Sequence, residues 1–301
     1  MVRRPYPPGG YNTCRSAPTP PGIMQMNDRY LSIDIKPLTG AMGAEIHGVD
    51  LSHVDDRTFD AVHRALLDHG VIFFRDQDIT PNAQMAFAKR WGEIHLHPHM
   101  RCLPDHPGII EIVKKEDDTT VFGENWHTDQ MFTPTPARVT ILYAKQVPPV
   151  GGDTIFANLH MAYDTLSDGM KDLISDLRTI SVYDKQKKRP AAMTPTAPDE
   201  APEPAEHPLV RPHPETGRKA LYLCHAGITR QIAGMTEEES RPILSYLINH
   251  ATKPEFTCRF RWEVGSMAIW DNRRALHYPV NDYYGYRRVM HRITIEGERT
   301  S

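Results

Sequence analysis

The sequence predicts a mixed α/β or α+β domain, because short strand-like segments recur along the chain and are separated by segments with helical spacing. Leu31–Ile35 alternates apolar and polar residues, as a half-buried strand does. Val71–Phe74 is continuously apolar, which is typical of a buried strand, whereas Asp56–His69 repeats apolar residues at the spacing of a helical face. The chain has 301 residues, 40% of them apolar, which is enough for one large core.

The remaining elements follow from caps and periodicity. Gly70 stands where the first helix needs a C-terminal cap, and Thr80 with Pro81 opens the next helix. Thr236 and Glu239 have the spacing of a capping box. The predicted elements are helices at Thr80–Trp91, Ser167–Leu177 and Thr236–His250, and strands at Arg138–Val147, Phe256–Trp262, Ser266–Trp270 and Arg288–Ile295.

Composition excludes several classes of protein. The chain has 35 basic and 38 acidic residues, a net charge of -3, and therefore predicts neither a nucleic acid nor a membrane surface as partner. No apolar run reaches the ~20 residues of a membrane span. The four cysteines lack CxxC spacing, which favours free thiols in a reducing, cytoplasmic setting over disulfides or a zinc site. A homo-oligomer is compatible with all of these features.

The N-terminal residues differ in composition from the rest. Residues 1–28 are rich in Pro and Gly and lack the apolar core of a signal peptide, so we predict a disordered tail. Met24 and Met26 precede the first globular pattern, which makes them alternative start sites to Met1. We predict that residues 29–301 form a single domain.

A Pro-rich insert interrupts this domain at about residues 184–208. It begins with a basic run and continues with few apolar residues. A structureless segment of this length within a compact domain is usually functional or disordered. Its basic run is either a solvated face or a substrate contact, and composition alone does not separate the two.

Two arginines lie on the last predicted strand. Residues alternate across a strand, so Arg288 and Arg292 share one face and stand roughly 13 Å apart at about 3.3 Å per residue. That separation suits two different anions. The alternative is a solvated edge strand, with His277 as an ordinary histidine upstream of it.

A second segment makes a metal site the better interpretation. His127 and Asp129 are two residues apart, which places both side chains on one face of an extended segment. Together with His277 they would form the facial triad of two histidines and one carboxylate. Such a triad holds ferrous iron and leaves three positions open.

These residues occur in motifs with a familiar order. The motifs are LTGAMGAEIHGVDL, VIFFRDQ, WHTD, GGDT, WDN, HY and RRVMHR. From about Leu31 to Gly297 the chain resembles the taurine dioxygenase / 2,4-dichlorophenoxyacetate dioxygenase family of iron(II)- and 2-oxoglutarate-dependent oxygenases. The resemblance implies a distorted double-stranded β-helix, a cupin-like jelly roll, flanked by helices. It also implies that the insert at 184–208 is a substrate lid.

The resemblance further implies a role for each residue of the site. His127, Asp129 and His277 would bind Fe(II); Thr154, Arg288 and Trp262 would contact 2-oxoglutarate; Arg292 and His97 would contact the substrate. The family's reaction consumes O2 and 2-oxoglutarate and releases succinate and CO2 as it hydroxylates a substrate.

Two departures from the taurine enzymes bear on the substrate. Met100 stands where they place a tyrosine, and Gly123 where they place an asparagine. We therefore expect a small anionic substrate with an apolar body: a sulfonate, an alkyl sulfate or an aryloxyalkanoate, often with cleavage of a C–S or C–O bond. Taurine dioxygenase proper is the alternative within the family. A zinc-dependent hydrolase and a non-catalytic binding protein are the alternatives from other classes.

Overall fold

The computed structural model of the protein describes residues 33–96, 100, 102–183 and 202–300. The predicted tail at 1–28, His97 and the greater part of the insert at 184–208 lie outside these residues. Within the described residues, no helix has both the length and the apolar character needed to span a bilayer.

All four predicted helices are present in the described chain, together with one helix and several strands that the pattern did not predict. The helices are α1 (Asp56–His69), α2 (Pro81–Lys89), α3 (Leu159–Asp164), α4 (Asp168–Ile174) and α5 (Glu237–Ala251), with a 3-10 turn at Pro254–Phe256. The strands are β1 (Asp34–Pro37), β2 (Ala44–His47), β3 (Val71–Phe74), β4 (Cys102–Leu103), β5 (His106–Lys114), β6 (Val139–Gln146), β7 (Thr154–Asn158), β8 (Arg178–Ser181), β9 (Ala205–Pro208), β10 (Val210–Pro212), β11 (Lys219–Leu221), β12 (Thr229–Ile232), β13 (Thr257–Phe260), β14 (Met267–Asp271), β15 (Ala275–Pro279) and β16 (Arg288–Ile295).

Two sheets share one core and form the jelly roll. The large sheet has the order β1-β2-β3-β14-β6-β16-β5-β4, and a smaller sheet has the order β13-β7-β15. Aromatic side chains connect the sheets: Phe73 of β3 stacks on Phe260 of β13 with ring centroids 3.9 Å apart, and Trp270 of β14 meets Phe156 of β7 edge-on at 5.5 Å. The predicted mixed α/β jelly roll with flanking helices is the observed architecture.

The helix boundaries follow from local capping. The Asp55 side chain accepts the Thr58 N–H at the start of α1, and Gly70 ends the helix at a φ of 76°, a left-handed conformation that favours glycine. Both bonds of the predicted capping box of α5 are present between Thr236 and Glu239. Helix α1 packs on β3 and β14, and α2 packs on β5 and β16, so both helices cover the large sheet.

The last four residues of the predicted insert belong to a strand. Ala205–Pro208 forms β9 and pairs antiparallel with β8, so the prediction of a structureless segment up to residue 208 is wrong at this end. His207 explains the ordering, because its buried ring contacts the Met131 carbonyl through Nε2 and the Thr300 hydroxyl through Nδ1, each at 2.7 Å.

Strand β16 lies in the interior of the large sheet. It pairs with β5 on one side and β6 on the other, so the alternative of a solvated edge strand is wrong. The register with β6 shifts between Val289 and Met290, which interrupts the simple alternation of faces. Arg288 and Arg292 nevertheless line the same cavity.

Candidate active site

Backbone pairing brings the two halves of the predicted triad together. The His127 N–H donates to the His277 carbonyl at 3.1 Å, and the His277 N–H donates to the His127 carbonyl at 2.8 Å. This isolated pair of bonds joins the segment that carries His127 and Asp129 to β15 of the small sheet. Residues 150 positions apart in the chain therefore face one another across a single bridge.

The three side chains converge as a metal site requires. His127, Asp129 and His277 are buried, and their candidate ligand atoms all lie within 4.8 Å of one another. The Nε2 atoms of the two histidines are each 3.9 Å from Asp129 Oδ1. His127 Nδ1 lies 2.6 Å from the Asn125 carbonyl, to which it donates, so the Nε2 lone pair points to the shared space. These donors fit a divalent iron.

Arg292 lies beside this triad in an ion pair. Its Nη2 donates to Asp129 Oδ1 at 2.8 Å, and its side chain is only 11% exposed. The predicted substrate anchor is therefore next to the metal site, but its guanidinium is engaged with the carboxylate that the metal would use.

Arg288 presents an unsatisfied cation to the same cavity. The residue is buried, and its Nε and Nη2 have no hydrogen-bond partner among the described residues. Burial lowers its pKa, an effect that interaction with Tyr283 opposes. A buried guanidinium with two donor nitrogens that lack a partner is suited to a carboxylate supplied by a ligand.

Trp262 contacts the site indirectly, through a hydrogen bond to Thr154. It is absent from the described cavity lining, where the sequence predicted it, and its indole N–H donates to the Thr154 hydroxyl oxygen at 2.9 Å. Thr154 does line the cavity together with Arg288. Because the indole only donates, the Thr154 hydroxyl proton is left to point to another acceptor.

Apolar side chains form much of the remaining wall. Ile112, Phe122, Leu142 and Pro279 line the cavity together with the triad and both arginines. Met100 is buried in a small cluster that Ile112 and Phe122 also contact. The cavity thus combines cationic groups with an apolar surface.

Gly123 approaches the metal site closely. Its φ is 85°, and a Cβ at this position would lie 2.8 Å from His127 Cε1 and 3.1 Å from His127 Nε2. The absence of an asparagine here is thus a steric feature of this chain as well as a lost polar contact, because any side chain would press on the imidazole.

Three residues of the site were not predicted from the sequence. Thr140 and Asn272 contact Asp129 directly, and Tyr283 lies against Arg288. Asn272 belongs to the WDN motif, which pointed to its importance but not to its contacts. Thr140 lies within an apolar strand pattern, where nothing distinguished it from other core residues.

Comparison with known proteins agrees with this geometry. Residues 34–294 match the family described as taurine catabolism dioxygenase TauD, TfdA family. The chain belongs to this family. As the family's members do, it uses Fe(II), 2-oxoglutarate and O2, and it is a 2-oxoglutarate-dependent dioxygenase.

Relatives in this family carry names from sulfur metabolism. An alpha-ketoglutarate-dependent sulfate ester dioxygenase of Pseudomonas putida is 35% identical over 283 residues, covering 89% of this chain and 91% of that protein. An alkylsulfatase of Acinetobacter baylyi is 34% identical, over 89% of this chain and 86% of its own. A crystal structure of a taurine dioxygenase from Burkholderia xenovorans superposes with a TM-score of 0.75 at 36% identity, covering 89% of this chain and 92% of that one.

Proposed function

We propose that His127 Nε2, Asp129 Oδ1 and His277 Nε2 bind the Fe(II) of this TauD-family dioxygenase. The convergence of these three atoms and their burial support the assignment. The hydrogen bond from His127 Nδ1 to Asn125 supports it further, because metal-ligating histidines commonly donate their second ring N–H to a carbonyl or carboxylate.

Arg288 and Thr154 would hold the distal carboxylate of 2-oxoglutarate. The observation that carries this proposal is the pair of buried, unsatisfied guanidinium nitrogens that face the same cavity as the triad. A buried cation without an anion is unfavourable, and a carboxylate matches the guanidinium fork with two charge-assisted hydrogen bonds. The hydroxyl proton of Thr154 supplies a third donor, since Trp262 already occupies a lone pair of its oxygen.

The nitrogens of Arg288 that lack a partner among the described residues also favour a dioxygenase over other enzymes that bind a metal through two histidines and one aspartate. A zinc-dependent hydrolase needs a water at the metal and has no use for a buried arginine with partnerless Nε and Nη2 in the same cavity. Bound iron together with 2-oxoglutarate supplies the oxidising chemistry: O2 is consumed, 2-oxoglutarate becomes succinate and CO2, and one oxygen atom enters the substrate. The protein's own groups bind and orient the reactants and exclude bulk water from them.

We propose an alkyl sulfate as the substrate class, on the combination of the cavity lining with the names of two relatives. Arg292 offers a cation for the sulfate group, while Ile112, Phe122 and Leu142 offer an apolar wall for an alkyl chain. Hydroxylation of the carbon that bears the ester oxygen gives a hemiacetal-like product. That product loses sulfate and becomes an aldehyde, so the net result is C–O cleavage. The names of the P. putida and A. baylyi relatives point to the same class.

Taurine fits this wall less well. Its ammonium would lie against apolar side chains without a partner, which costs several kcal/mol, whereas an alkyl chain gains about 25 cal/mol for each Å² that it buries. We expect hexyl sulfate to exceed taurine in kcat/KM by at least about tenfold, since ~1.4 kcal/mol is sufficient. Parallel assays of succinate release with the two compounds test this, and a preference for taurine would refute the proposed substrate class.

Anaerobic spectroscopy tests the assignment of the ligands. The wild-type protein should develop a weak visible charge-transfer band only when both Fe(II) and 2-oxoglutarate are present. His277→Ala should show no such band while keeping the far-UV circular dichroism of the wild type. A normal band in His277→Ala would contradict the proposed triad, as would a wild-type protein that binds Fe(II) but never develops the band.

A further inference from the structure

We propose that Asn272 and Thr140 form a positioning relay that decides which oxygen of Asp129 faces the two histidines. The relay is a chain of hydrogen bonds behind the carboxylate, on the side away from His127 and His277. The inference rests on the proposed role of Asp129 as a metal ligand and adds two residues to which neither the family nor the motifs assigned a task.

Donors with no accepting capacity determine the orientation of the Asn272 amide. The Trp270 indole N–H donates to Asn272 Oδ1 at 3.0 Å, and the Asp129 backbone N–H donates to the same oxygen at 3.2 Å. Neither group can accept a hydrogen bond, so the amide oxygen must face them. The amide nitrogen then faces Thr140, with Nδ2 2.9 Å from Oγ1.

The orientation of the amide determines the direction of the Thr140 hydroxyl. Its oxygen accepts from Asn272 Nδ2, so its single proton is available for Asp129 Oδ2, which lies 2.6 Å away. A carboxylate with Oδ2 held in this way turns Oδ1 to the opposite side. Oδ1 is the atom that lies 3.9 Å from the Nε2 of both histidines.

Burial makes this relay stronger than a surface network. Thr140 and Asn272 are fully buried and Asp129 is 3% exposed, so water does not compete for these groups. Hydrogen bonds to a charged group are worth more than neutral ones, and a low local dielectric strengthens them further. The relay should therefore keep Oδ1 turned to the two histidines before any metal arrives, although Arg292 also occupies that oxygen.

The relay also connects separate elements of the fold around the metal site. Thr140 lies on β6, Asn272 follows β14, and the hydroxyl of Thr128 donates to the Asn272 carbonyl at 2.7 Å. Asn272 stands five positions before His277, so the relay connects the carboxylate to the chain segment that leads into the strand of the second histidine.

Metal binding by the purified protein, with Co(II) as the probe, separates positioning from general stability. Thr140→Val removes the hydroxyl at nearly constant volume, and we expect it to weaken Co(II) binding by roughly ten- to a hundredfold, as loss of a group that orients a metal ligand does. Thr140→Ser keeps the hydroxyl and should stay within about threefold of the wild type. The d–d bands of bound Co(II) should also change in Thr140→Val, because the carboxylate is no longer held in one orientation.

Thr294→Val is the matched control. Thr294 lies opposite Thr140 on the neighbouring strand, is 2% exposed, and its hydroxyl has no hydrogen-bond partner in the described part of the chain. This variant should bind Co(II) as the wild type does, and unfolding of the metal-free proteins in urea reports any loss of stability separately. If Thr140→Val does not fold, Thr140→Ala removes the same hydroxyl without placing a second methyl beside the carboxylate.

The possible outcomes are distinct. Equal Co(II) affinity in Thr140→Val and the wild type overturns the relay, and so does an equal loss in Thr140→Val and Thr294→Val. Failure of the wild type itself to bind Co(II) overturns the proposed metal site instead.

Discussion

Replacing Arg288 by Gln should selectively damage the use of 2-oxoglutarate. Arg288 is 8% exposed, and two of its guanidinium nitrogens have no partner among the described residues, so a bound carboxylate would be their main counter-charge. Removal of one member of a buried, hydrogen-bonded charge pair costs about 2 to 5 kcal/mol, which corresponds to roughly 30- to several thousand-fold in affinity. Arg288→Lys should recover only part of this loss, because an ammonium keeps the charge but lacks the planar fork.

The KM for 2-oxoglutarate, measured by succinate release at saturating substrate, is the decisive quantity. Arg287→Gln is the control, since it removes the same charge from the adjacent, partly exposed position. Arg287→Gln should change this KM by less than about twofold, because a screened charge near the surface contributes little. A KM in Arg288→Gln within threefold of the wild type would refute the assignment of Arg288 to 2-oxoglutarate. Equal rises in KM in Arg288→Gln and Arg287→Gln would show a general effect of charge and not a specific contact.

Three further predictions concern Arg292 and His160, two ionisable residues in the interior. Arg292→Gln should tighten Co(II) binding by roughly ten- to a hundredfold. The variant removes a cation that competes for Asp129 Oδ1 and whose charge-assisted bond is worth about 1.5 to 3 kcal/mol. Weaker Co(II) binding in equilibrium titration would contradict this. The same variant should retain substrate-independent turnover of 2-oxoglutarate while its KM for hexyl sulfate rises. Stability should also fall on acidification: burial lowers the pKa of His160 to about 4, so the unfolded chain, with a pKa of about 6.5, takes up the proton first. The contribution of His160 is therefore fully present above about pH 6.5 and is lost between pH 6.5 and 4, by up to about 3 kcal/mol. His160→Asn can keep a donor for the Lys219 carbonyl and should flatten this part of the urea-unfolding pH profile, and an unchanged profile would show that His160 is not responsible.

Much of the local structure could be predicted because its causes are local. The N-cap of α1, its glycine terminus and the capping box of α5 depend on residues only a few positions apart, and all are observed. The end of the insert at Ala205–Pro208 could not be predicted, because its order depends on β8 and on the contacts of His207 with Met131 and Thr300. Polar composition describes the segment itself but not the distant partners that bury it.

The site likewise contains features that follow from local sequence and features that depend on distant partners. Spacing alone brought His127 and Asp129 to one face of an extended segment, and the order of motifs added His277 and Arg288. The sequence by itself thus determined the chemical groups of this protein: two histidines and one carboxylate, the two arginines of the last strand, and the helices and strands that carry them.

Only the tertiary structure decided how these groups are connected. It joined the Trp262 indole to the Thr154 hydroxyl, paired Arg292 with Asp129 Oδ1, and set the Thr140 hydroxyl, which accepts from Asn272, against Asp129 Oδ2. Most of these contacts join residues more than 100 positions apart in the chain, and a hydrogen bond depends on distance and direction in space. Sequence spacing reports neither quantity for residues on different elements, so these contacts became visible only once the two sheets and the segment of Asp129 were packed together.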